Sequence, residues 1–431
     1  MLDAVDDASL HRNISERLQS FMISLSVSRQ RAGLMLQVAA MTSKAIDGSV
    51  LEGGGQILRN AVSLSALLSK PVSITKIRNN RRPPGLKNQH RTGKAYLEIV
   101  LFSPSPALSA GLELAAQIAS ACLTGAKNGS SNIDFVPGRI QLPNHYHADS
   151  VTAGSITLLI QIALPLLLFS PTSVPASTLT LLGGTNATMA PQVDYTQHVF
   201  FPFLRRHFGL DNNLDIHINK RGYFPKGGGE VDLRVTPLSG ERKLKSFSLV
   251  HPGKVMWISG ISHYAGLPKA VGNEMIEGAL TRLAKAGFLG GKHSQNVDVS
   301  PEVATERREV PISIQNNREP NNLSKGAGSG IVLWAELESG GIIGGSAVGM
   351  KGIAPNAVGE EAAIELVKGI DAGGCVDEVR EGLICRSYVT SFCYLSGLKI
   401  KSSYSWHLRK ANPKCGVGLT VLVFIPGTLK L

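Results

Sequence analysis

The chain has 431 residues, 43% hydrophobic and 18% charged, which excludes a disordered chain and leaves room for two or three globular domains. Its 44 Lys and Arg against 32 Asp and Glu give a net charge of +12, which suits a polyanionic partner but also fits a solvated basic surface. Five scattered cysteines exclude a CxxC metal site and are typical of a reduced, intracellular protein.

Predicted elements alternate along the chain between helices and short β-rich strands, which indicates a mixed α/β (α+β) fold. The apolar stretch 156–169 is too short to span a membrane and carries Gln161 and Pro165, so it is predicted to be a buried helix or strand pair. The other predicted helices are 56–69, 112–125, 195–209, 268–287 and 359–370, and the predicted strands are 131–138, 177–184, 213–222, 230–238, 255–266 and 331–338.

Glycine clusters recur at 53–55, 183–184, 227–229 and 344–345, as if one αβ unit were repeated, although glycine is also the ordinary turn residue. The first cluster stands just before a predicted helix. Backbone N–H groups of such a loop can bind an anion, but a tight strand-to-helix turn has the same pattern. Glu52 beside the loop could hold a divalent metal, and Arg59 lies in the following helix.

A basic loop at 76–91 reads "KIRNNRRPPGLKNQHR". Its prolines stiffen the chain, and arginine binds phosphate oxygens through two parallel hydrogen bonds. The pattern favours a phosphate-binding or RNA-end-binding loop over a plain basic surface. The loop contains Arg78, Arg81, Lys87, Gln89, His90 and Arg91.

Three other histidines are weaker candidates. His145 and His147 stand two residues apart and could bind a metal, but such a pair is more often plain surface. His198 lies on a helical apolar pattern and is interpreted as packed or capping, not catalytic.

Several long motifs in one order resemble the RNA 3′-terminal phosphate cyclase family. The resemblance runs from about residue 46 to 378, with one interruption. It rests on "DGSVLEGGGQILR", "KIRNNRRPPGLKNQH", "TAGSITLLIQIALP", "GGTNATMAPQVDYTQHVFFP", "RGYFPKGGGEV", "ISHYAGLPKAVGNEM" and "GEEAAIELVKGIDAGGCVDE".

The resemblance implies a large domain of repeated βαβαββ units, like the C-terminal domain of translation initiation factor three, with a smaller αβ domain inserted. We therefore expect a disordered N-terminal extension (1–44), a large domain (45–240) with an atypical insertion at 94–110, and an insert domain (241–335). The last repeat of the large domain (336–378) and an aberrant C-terminal tail (379–431) complete the predicted division.

The implied activity is ATP-dependent conversion of RNA 3′-phosphate ends to 2′,3′-cyclic phosphates. A histidine takes AMP from ATP, AMP passes to the 3′-phosphate, and the neighbouring 2′-hydroxyl displaces it. The resemblance assigns Glu52 to the ATP and to a divalent metal (Mg or Mn), and Gln161 and Pro191 to the nucleotide pocket. It assigns Arg59, Arg78, Arg81, Gln89 and His90 to the RNA phosphate.

The nucleophilic histidine of the family is missing from the matching position. After "VDE" the chain runs into "VREGLICRSYVT", and His407 is the only later histidine, with flanks that do not match. The catalytic residue is therefore left unassigned, and this chain is predicted to be unable to form adenylyl-histidine.

Two segments interrupt the family-like sequence, at 94–110 and at 379–396. The codons that could encode the ends of each segment allow an intron donor signal and an intron acceptor signal. Retained introns would explain both, and removal of the second would shift the frame back to a family-like sequence. A surface insertion and a divergent tail remain the alternatives.

The competing function is a non-catalytic cyclase-like RNA-binding factor in ribosomal RNA processing, but the intact "EGGGQILR" favours the enzymatic branch. A carboxyvinyl transferase is a weaker alternative. RNA 3′-phosphate ends are the expected partner, with no membrane. The expected location is the nucleus, with the cytoplasm as a second location left open. The oligomeric state is left open.

Overall fold

A computed structural model gives the structure of the protein. It describes residues 43–50, 55–79, 106–127, 129–150, 153–170, 174–187, 190–239, 244–245, 247–290, 308–377, 398–402 and 419–423. The predicted N-terminal extension therefore lies outside the described residues, except for residues 43 and 44.

The first sheet has four strands in the order β1-β2-β4-β3. β1 and β2 are parallel, and β2–β4 and β3–β4 are antiparallel. A helix follows each of the first two strands, so the unit runs βαβαββ. Its elements are β1 (Lys44–Asp47), α1 (Gly55–Leu68), β2 (Val72–Thr75), α2 (Pro106–Ile118), β3 (Cys122–Thr124) and β4 (Ile133–Val136).

The second sheet repeats this arrangement with the order β5-β6-β8-β7. Again the first two strands are parallel and the other two pairings are antiparallel. The second helical crossover begins with a short turn (Val193–Tyr195) and a π-helical turn (Thr196–Phe200). The remaining elements are β5 (His145–Asp149), α3 (Ile156–Leu168), β6 (Ser177–Gly183), α4 (Phe201–Phe208), β7 (Leu214–Lys220) and β8 (Gly229–Val235).

The repeated αβ unit is therefore confirmed in these two units. One hydrophobic core joins them, because α3 of the second unit packs against both helices of the first unit and against its own sheet. α3 is buried on almost every side, which explains why its sequence is apolar without a helical stripe. Of the two predictions for residues 156–169, a buried helix or a strand pair, the buried helix is thus confirmed.

The third sheet has the order β10-β9-β11-β12. β9 is parallel to β10 and antiparallel to β11, and β11 pairs antiparallel with β12. Two helices cover it and share a second hydrophobic core. The elements are β9 (Val255–Ala265), α5 (Lys269–Lys285), β10 (Ile312–Arg318), β11 (Gly328–Leu337), β12 (Ile342–Val348) and α6 (Pro355–Asp371).

The predicted boundary between residues 335 and 336 falls inside β11, and strands from both sides of it share the third sheet. No break in packing separates the two sides there. The division into a large domain and an insert domain stays a prediction.

Helices α5 and α6 cross with their backbones almost in contact. A Cβ added at Gly278 would lie 2.0 Å from the Asn356 carbonyl oxygen, and one added at Gly359 would lie 1.8 Å from the Met275 carbonyl oxygen. Any larger residue at either position would force the helices apart.

Short strands complete the fold. Phe169–Ser170 pairs with Leu238–Ser239, and Phe288–Leu289 pairs with Arg308–Glu309. Two segments of the predicted C-terminal tail, Leu398–Ser402 and Leu419–Val423, form a three-stranded sheet with Phe247–Leu249. Residues 106–110 of the predicted insertion form the start of α2, and Leu108 is buried in the core. A single 3₁₀ turn (Asn321–Leu323) links β10 to β11.

The predicted helix at 112–125 is wrong in its second half. α2 ends at Ile118, Ser120 takes a left-handed backbone conformation (φ 45°), and Cys122–Thr124 pairs with β4. Among the described residues, no helix is both long and apolar enough to cross a membrane.

Candidate functional site

Two of the predicted site residues meet in the core. The Arg59 Nε donates a hydrogen bond of 2.6 Å to the Gln161 Oε1, and both side chains are buried. Arg59 lies on α1 and Gln161 on α3, so this arginine–glutamine pair joins the first two units across 102 residues of sequence. An amide oxygen carries no formal charge, so this contact orients the guanidinium without adding a negative charge beside it.

The guanidinium of Arg59 turns back to the start of its own helix. A Cβ added at Gly55 would lie 2.9 Å from the Arg59 Nη1, so a larger residue there would force the guanidinium to shift from this position. Gly55 is the last glycine of the cluster that precedes α1. Its neighbours 51–54, with the predicted metal residue Glu52, lie outside the described residues.

Pro191 is tied to the same helix as Gln161. The Thr157 hydroxyl, one turn before Gln161, donates a hydrogen bond of 3.1 Å to the Pro191 carbonyl oxygen. The backbone N–H of Ile156, at the start of α3, also donates to the Gly184 carbonyl oxygen at 3.0 Å. Gly184 and Pro191 are therefore both fixed against the helix that carries Gln161.

Arg78 lies at the carboxyl end of the parallel pair β1–β2, and its side chain is buried. The two strand ends are held together there, because the Gly48 N–H donates to the Thr75 carbonyl oxygen at 2.7 Å and Lys76 pairs with Asp47 at 3.0 Å. Hydrogen bonds from Ser49 and Lys76 lower the pKa of Asp47 to about 2. Arg78 thus shares a sheet edge with the chain that enters the glycine loop.

Four predicted site residues cannot be placed: Glu52, Arg81, Gln89 and His90 lie outside the described residues, as does His407. Of the described ones, Arg59 and Gln161 are in contact, and Pro191 is tied to the helix that carries Gln161 through Thr157. Their roles toward ATP and RNA remain predictions.

A second polar cluster lies between the second unit and the third sheet. Arg221 donates two hydrogen bonds to the Asp194 carboxylate, at 2.6 and 2.8 Å, and a third of 2.6 Å to Glu319. Asp194 is 1% exposed and Arg221 6%. These three residues are the buried acid–arginine cluster.

His263 of β9 extends the cluster through neutral groups. Its Nε2 lies 2.9 Å from the Gln192 Oε1, and its Nδ1 lies 3.0 Å from the Tyr223 hydroxyl. The Gln192 amide nitrogen donates to the carbonyl oxygens of Ile331 and Ala347, at 3.1 and 3.0 Å, which fixes the amide orientation. The Nε2 of His263 therefore carries the proton, and its Nδ1 accepts the tyrosine hydroxyl.

The ionisation of this cluster follows from burial and from the Arg221 charge. Burial, reinforced by Arg221 and opposed by Asp194, lowers the pKa of His263 to about 3, so the imidazole is neutral near pH 7. Its Nε2 lies 3.8 Å from Asp194, and because the ring as a whole is neutral that contact is not an ion pair. Burial also works to raise the pKa of Asp194, but Arg221 outweighs it and holds that pKa below its ordinary value.

The chain reaches residue 377 beside this cluster. The Asp377 carboxylate accepts hydrogen bonds from the Tyr195 hydroxyl at 2.5 Å and from the Gly344 N–H at 2.7 Å. Asp377 belongs to the "VDE" that precedes the predicted C-terminal tail (379–431).

The structure describes the three weaker histidine candidates, and their interpretations remain predictions. His198 stacks on Trp334 with ring centroids 4.8 Å apart, a packing role. The His145 Nδ1 contacts the Thr178 hydroxyl at 2.6 Å. In the part of the chain that the structure describes, no three His, Cys, Asp or Glu side chains form a metal-binding group.

Sequence reasoning missed the buried acid–arginine cluster and His263. Asp194 stands inside the quoted motif "GGTNATMAPQVDYTQHVFFP" and Arg221 inside "RGYFPKGGGEV". The available signal was a charged residue, Asp194, next to an apolar helical segment. Nothing in the sequence indicates that Asp194 and Arg221 contact each other.

The fold and the site define an α/β protein of repeated βαβαββ units that positions arginine and amide side chains at a glycine loop. The model of the family described as RNA 3′-terminal phosphate cyclase matches residues 50–101 and 106–389. The break between the two matched segments lies inside the predicted insertion 94–110.

Curated relatives agree with this match. The RNA 3′-terminal phosphate cyclase of Staphylothermus marinus is 38% identical over 332 residues, covering 77% of this chain and 80% of the relative. The RNA 3′-terminal phosphate cyclase of Pyrobaculum aerophilum is 36% identical over 332 residues, covering 77% of this chain and 80% of the relative. The probable RNA 3′-terminal phosphate cyclase of Dictyostelium discoideum is 37% identical over 335 residues, with 77% and 67% covered. The chain belongs to the RNA 3′-terminal phosphate cyclase family.

Proposed function

We propose that this chain binds ATP and the 3′-phosphate end of RNA, the two reactants of ATP-dependent end cyclisation. The observation that carries the proposal is the arginine–glutamine pair at the glycine loop. Gly55 leaves space for the Arg59 guanidinium, and Gln161 orients it. A positioned guanidinium at a helix N-terminus suits a phosphate group.

In this proposal Gln161 and Pro191 line the nucleotide pocket, and Arg59 and Arg78 hold phosphate oxygens, with Arg81, Gln89 and His90 contributing from outside the described residues. Bound ATP supplies an activated AMP group. The protein residues orient the phosphates and offset their charge. Glu52 is the proposed metal residue.

We further propose that the 431-residue chain does not carry out the adenylyl transfer, because the family histidine has no counterpart after residue 378. The non-catalytic alternative, an RNA-binding factor in ribosomal RNA processing, gains support from the same absence. Location in the nucleus remains part of this proposal.

Equilibrium binding tests the proposed site. Arg59→Ala should weaken binding of ATP or of a 3′-phosphorylated oligoribonucleotide about 10- to 100-fold, the range for a lost charged hydrogen bond. The control is Arg234→Ala, an exposed arginine on β8. Equal binding of both ligands by both variants would contradict the proposal.

Sequencing of the mature transcript tests the origin of the interruptions. If codons 94–110 and 379–396 are absent from it, the mature product has a family-like C-terminal segment. If they are present, the tail is genuine and the RNA-binding alternative is favoured.

A further inference from the structure

Two glycine-rich loops lie side by side next to the candidate site. One is residues 223–229 ("YFPKGGG"), and the other is residues 324–328 ("SKGAG"); together they are the paired lysine loops. Their bases are joined, because the Arg221 N–H donates to the Leu323 carbonyl oxygen at 3.0 Å and Arg221 forms a β-bridge with Ser324. Arg221 also binds Glu319, on the approach to the second loop.

The loops interlock through their lysines. A Cβ added at Gly228 would lie 2.7 Å from the Lys325 Cδ, and one added at Gly326 would lie 2.6 Å from the Lys226 Cδ. Each lysine stem therefore lies over a glycine of the opposite loop. Gly227 and Gly228 also have positive φ (61° and 77°), which other residues rarely adopt. This packing limits where the two ammonium groups can be.

The acidic residues near the two lysines are paired with other cations: Glu230 with Lys220, and Asp194 and Glu319 with Arg221. Among the described residues no ion pair includes Lys226 or Lys325, and both side chains are exposed. Paired surface cations without acidic partners attract a polyanion.

An exposed aromatic ring accompanies the lysines. Phe224, two residues before Lys226, is 36% exposed although it is a large apolar side chain. A basic surface with an exposed aromatic ring is the combination that binds single-stranded nucleic acid, since bases stack on the ring and phosphates meet the cations.

The loops adjoin the candidate site through the backbone. Asn186 forms a β-bridge with Tyr223, and the Phe224 N–H donates to the Asn186 carbonyl oxygen at 3.4 Å. Asn186 belongs to the segment that leads to Pro191. The first loop is therefore bonded to a residue only five positions before Pro191 of the candidate site.

We propose that the paired lysine loops bind single-stranded RNA upstream of its 3′ end. Lys226 and Lys325 contact the phosphodiester backbone, and Phe224 stacks on one base. This inference rests on the proposed function, since it concerns RNA held at the same site.

Fluorescence anisotropy with a 5′-labelled single-stranded oligoribonucleotide, measured over a range of salt concentrations, tests the inference. Lys226→Ala with Lys325→Ala should weaken binding. It should also reduce the slope of log K against log salt by about 1.4, at about 0.7 for each lost phosphate contact. Phe224→Ala should weaken binding about tenfold with an unchanged slope.

The matched control is Lys254→Ala with Lys285→Ala, which removes the same charge from exposed positions at the opposite end of β9 and α5. Identical slopes and affinities for the loop and control variants would overturn the inference, as would wild-type protein that binds no RNA. A loss of ATP binding without a loss of RNA binding would also overturn it, by assigning the loops to the nucleotide.

A comparison of 3′-phosphorylated and 3′-hydroxyl oligonucleotides on wild-type protein separates the two proposals. If both oligonucleotides bind with equal affinity while the loop variants still show a reduced slope of log K against log salt, the inference stands and the proposed end specificity fails. If the phosphorylated end binds more tightly but the loop variants match the control, the inference fails alone.

Discussion

Two buried arginines at two unit interfaces have different partners. Arg59 contacts the neutral amide of Gln161 beside a glycine loop, whereas Arg221 is held by the carboxylates of Asp194 and Glu319. Two carboxylates satisfy the charge of Arg221 within the fold. The contact of Arg59 with Gln161 orients its guanidinium through a neutral group. The two carboxylates give Arg221 a structural role, whereas the position of Arg59 beside Gly55, at the start of α1, suits the proposed phosphate ligand.

The largest expected effect is on the buried acid–arginine cluster. Arg221→Met should lower the free energy of unfolding by about 3–5 kcal/mol, because it leaves the Asp194 charge buried without its partner. Denaturant unfolding measures the change. The neighbouring Lys220→Met is the control, because it breaks an exposed pair with Glu230 and should cost about 1 kcal/mol or less. Equal losses would show that the buried partners of Arg221 contribute no more to stability than an exposed ion pair.

A smaller loss of stability is expected at the arginine–glutamine pair. Gln161→Leu removes the acceptor of the Arg59 Nε and should lower the free energy of unfolding by about 1.5–3 kcal/mol, the range for a hydrogen bond to a charged group. ATP affinity, measured by calorimetry, should fall with it. Unchanged ATP affinity in a folded variant would show that Arg59 needs no orientation by Gln161.

The most gradual expected effect is the pH dependence due to His263, which is small for each step of pH. Its pKa is about 3 in the folded protein and about 6.5 in the unfolded chain, so between these values the unfolded state binds a proton that the folded state rejects. Stability should fall as pH falls from about 6.5 to 3, by up to about 1.4 kcal/mol per pH unit from this group. In His263→Gln this part of the slope should vanish. An unchanged slope would contradict a neutral, buried His263.

Much of the fold could be predicted, because the spacing of apolar residues in the helices and strands matches the burial of those residues in the structure. The helix at 56–69 has buried Leu58, Ala61 and Val62 at helical spacing, and the strand at 177–184 alternates buried and partly buried residues. In contrast, β10 was not predicted, because residues 306–330 are mostly polar. It is an edge strand with exposed polar residues, and such a strand has the composition of a loop.

The candidate site was only partly predictable. Residue type and the glycine loop indicated Arg59, and the resemblance indicated Gln161, but their contact spans 102 residues and depends on how α1 and α3 pack. The cluster of Asp194, Arg221 and His263 forms where three segments meet, and no local pattern encodes such a meeting. Sequence supplied the chemical groups, and the tertiary fold decided their partners.

The central claim is that this chain keeps the binding residues of the family without the histidine that accepts AMP. The most direct test incubates the 431-residue chain with ATP labelled at the α-phosphate and looks for an acid-labile AMP adduct, with ATP binding measured in parallel. We predict ATP binding and no adduct. An acid-labile adduct on this chain would contradict the claim.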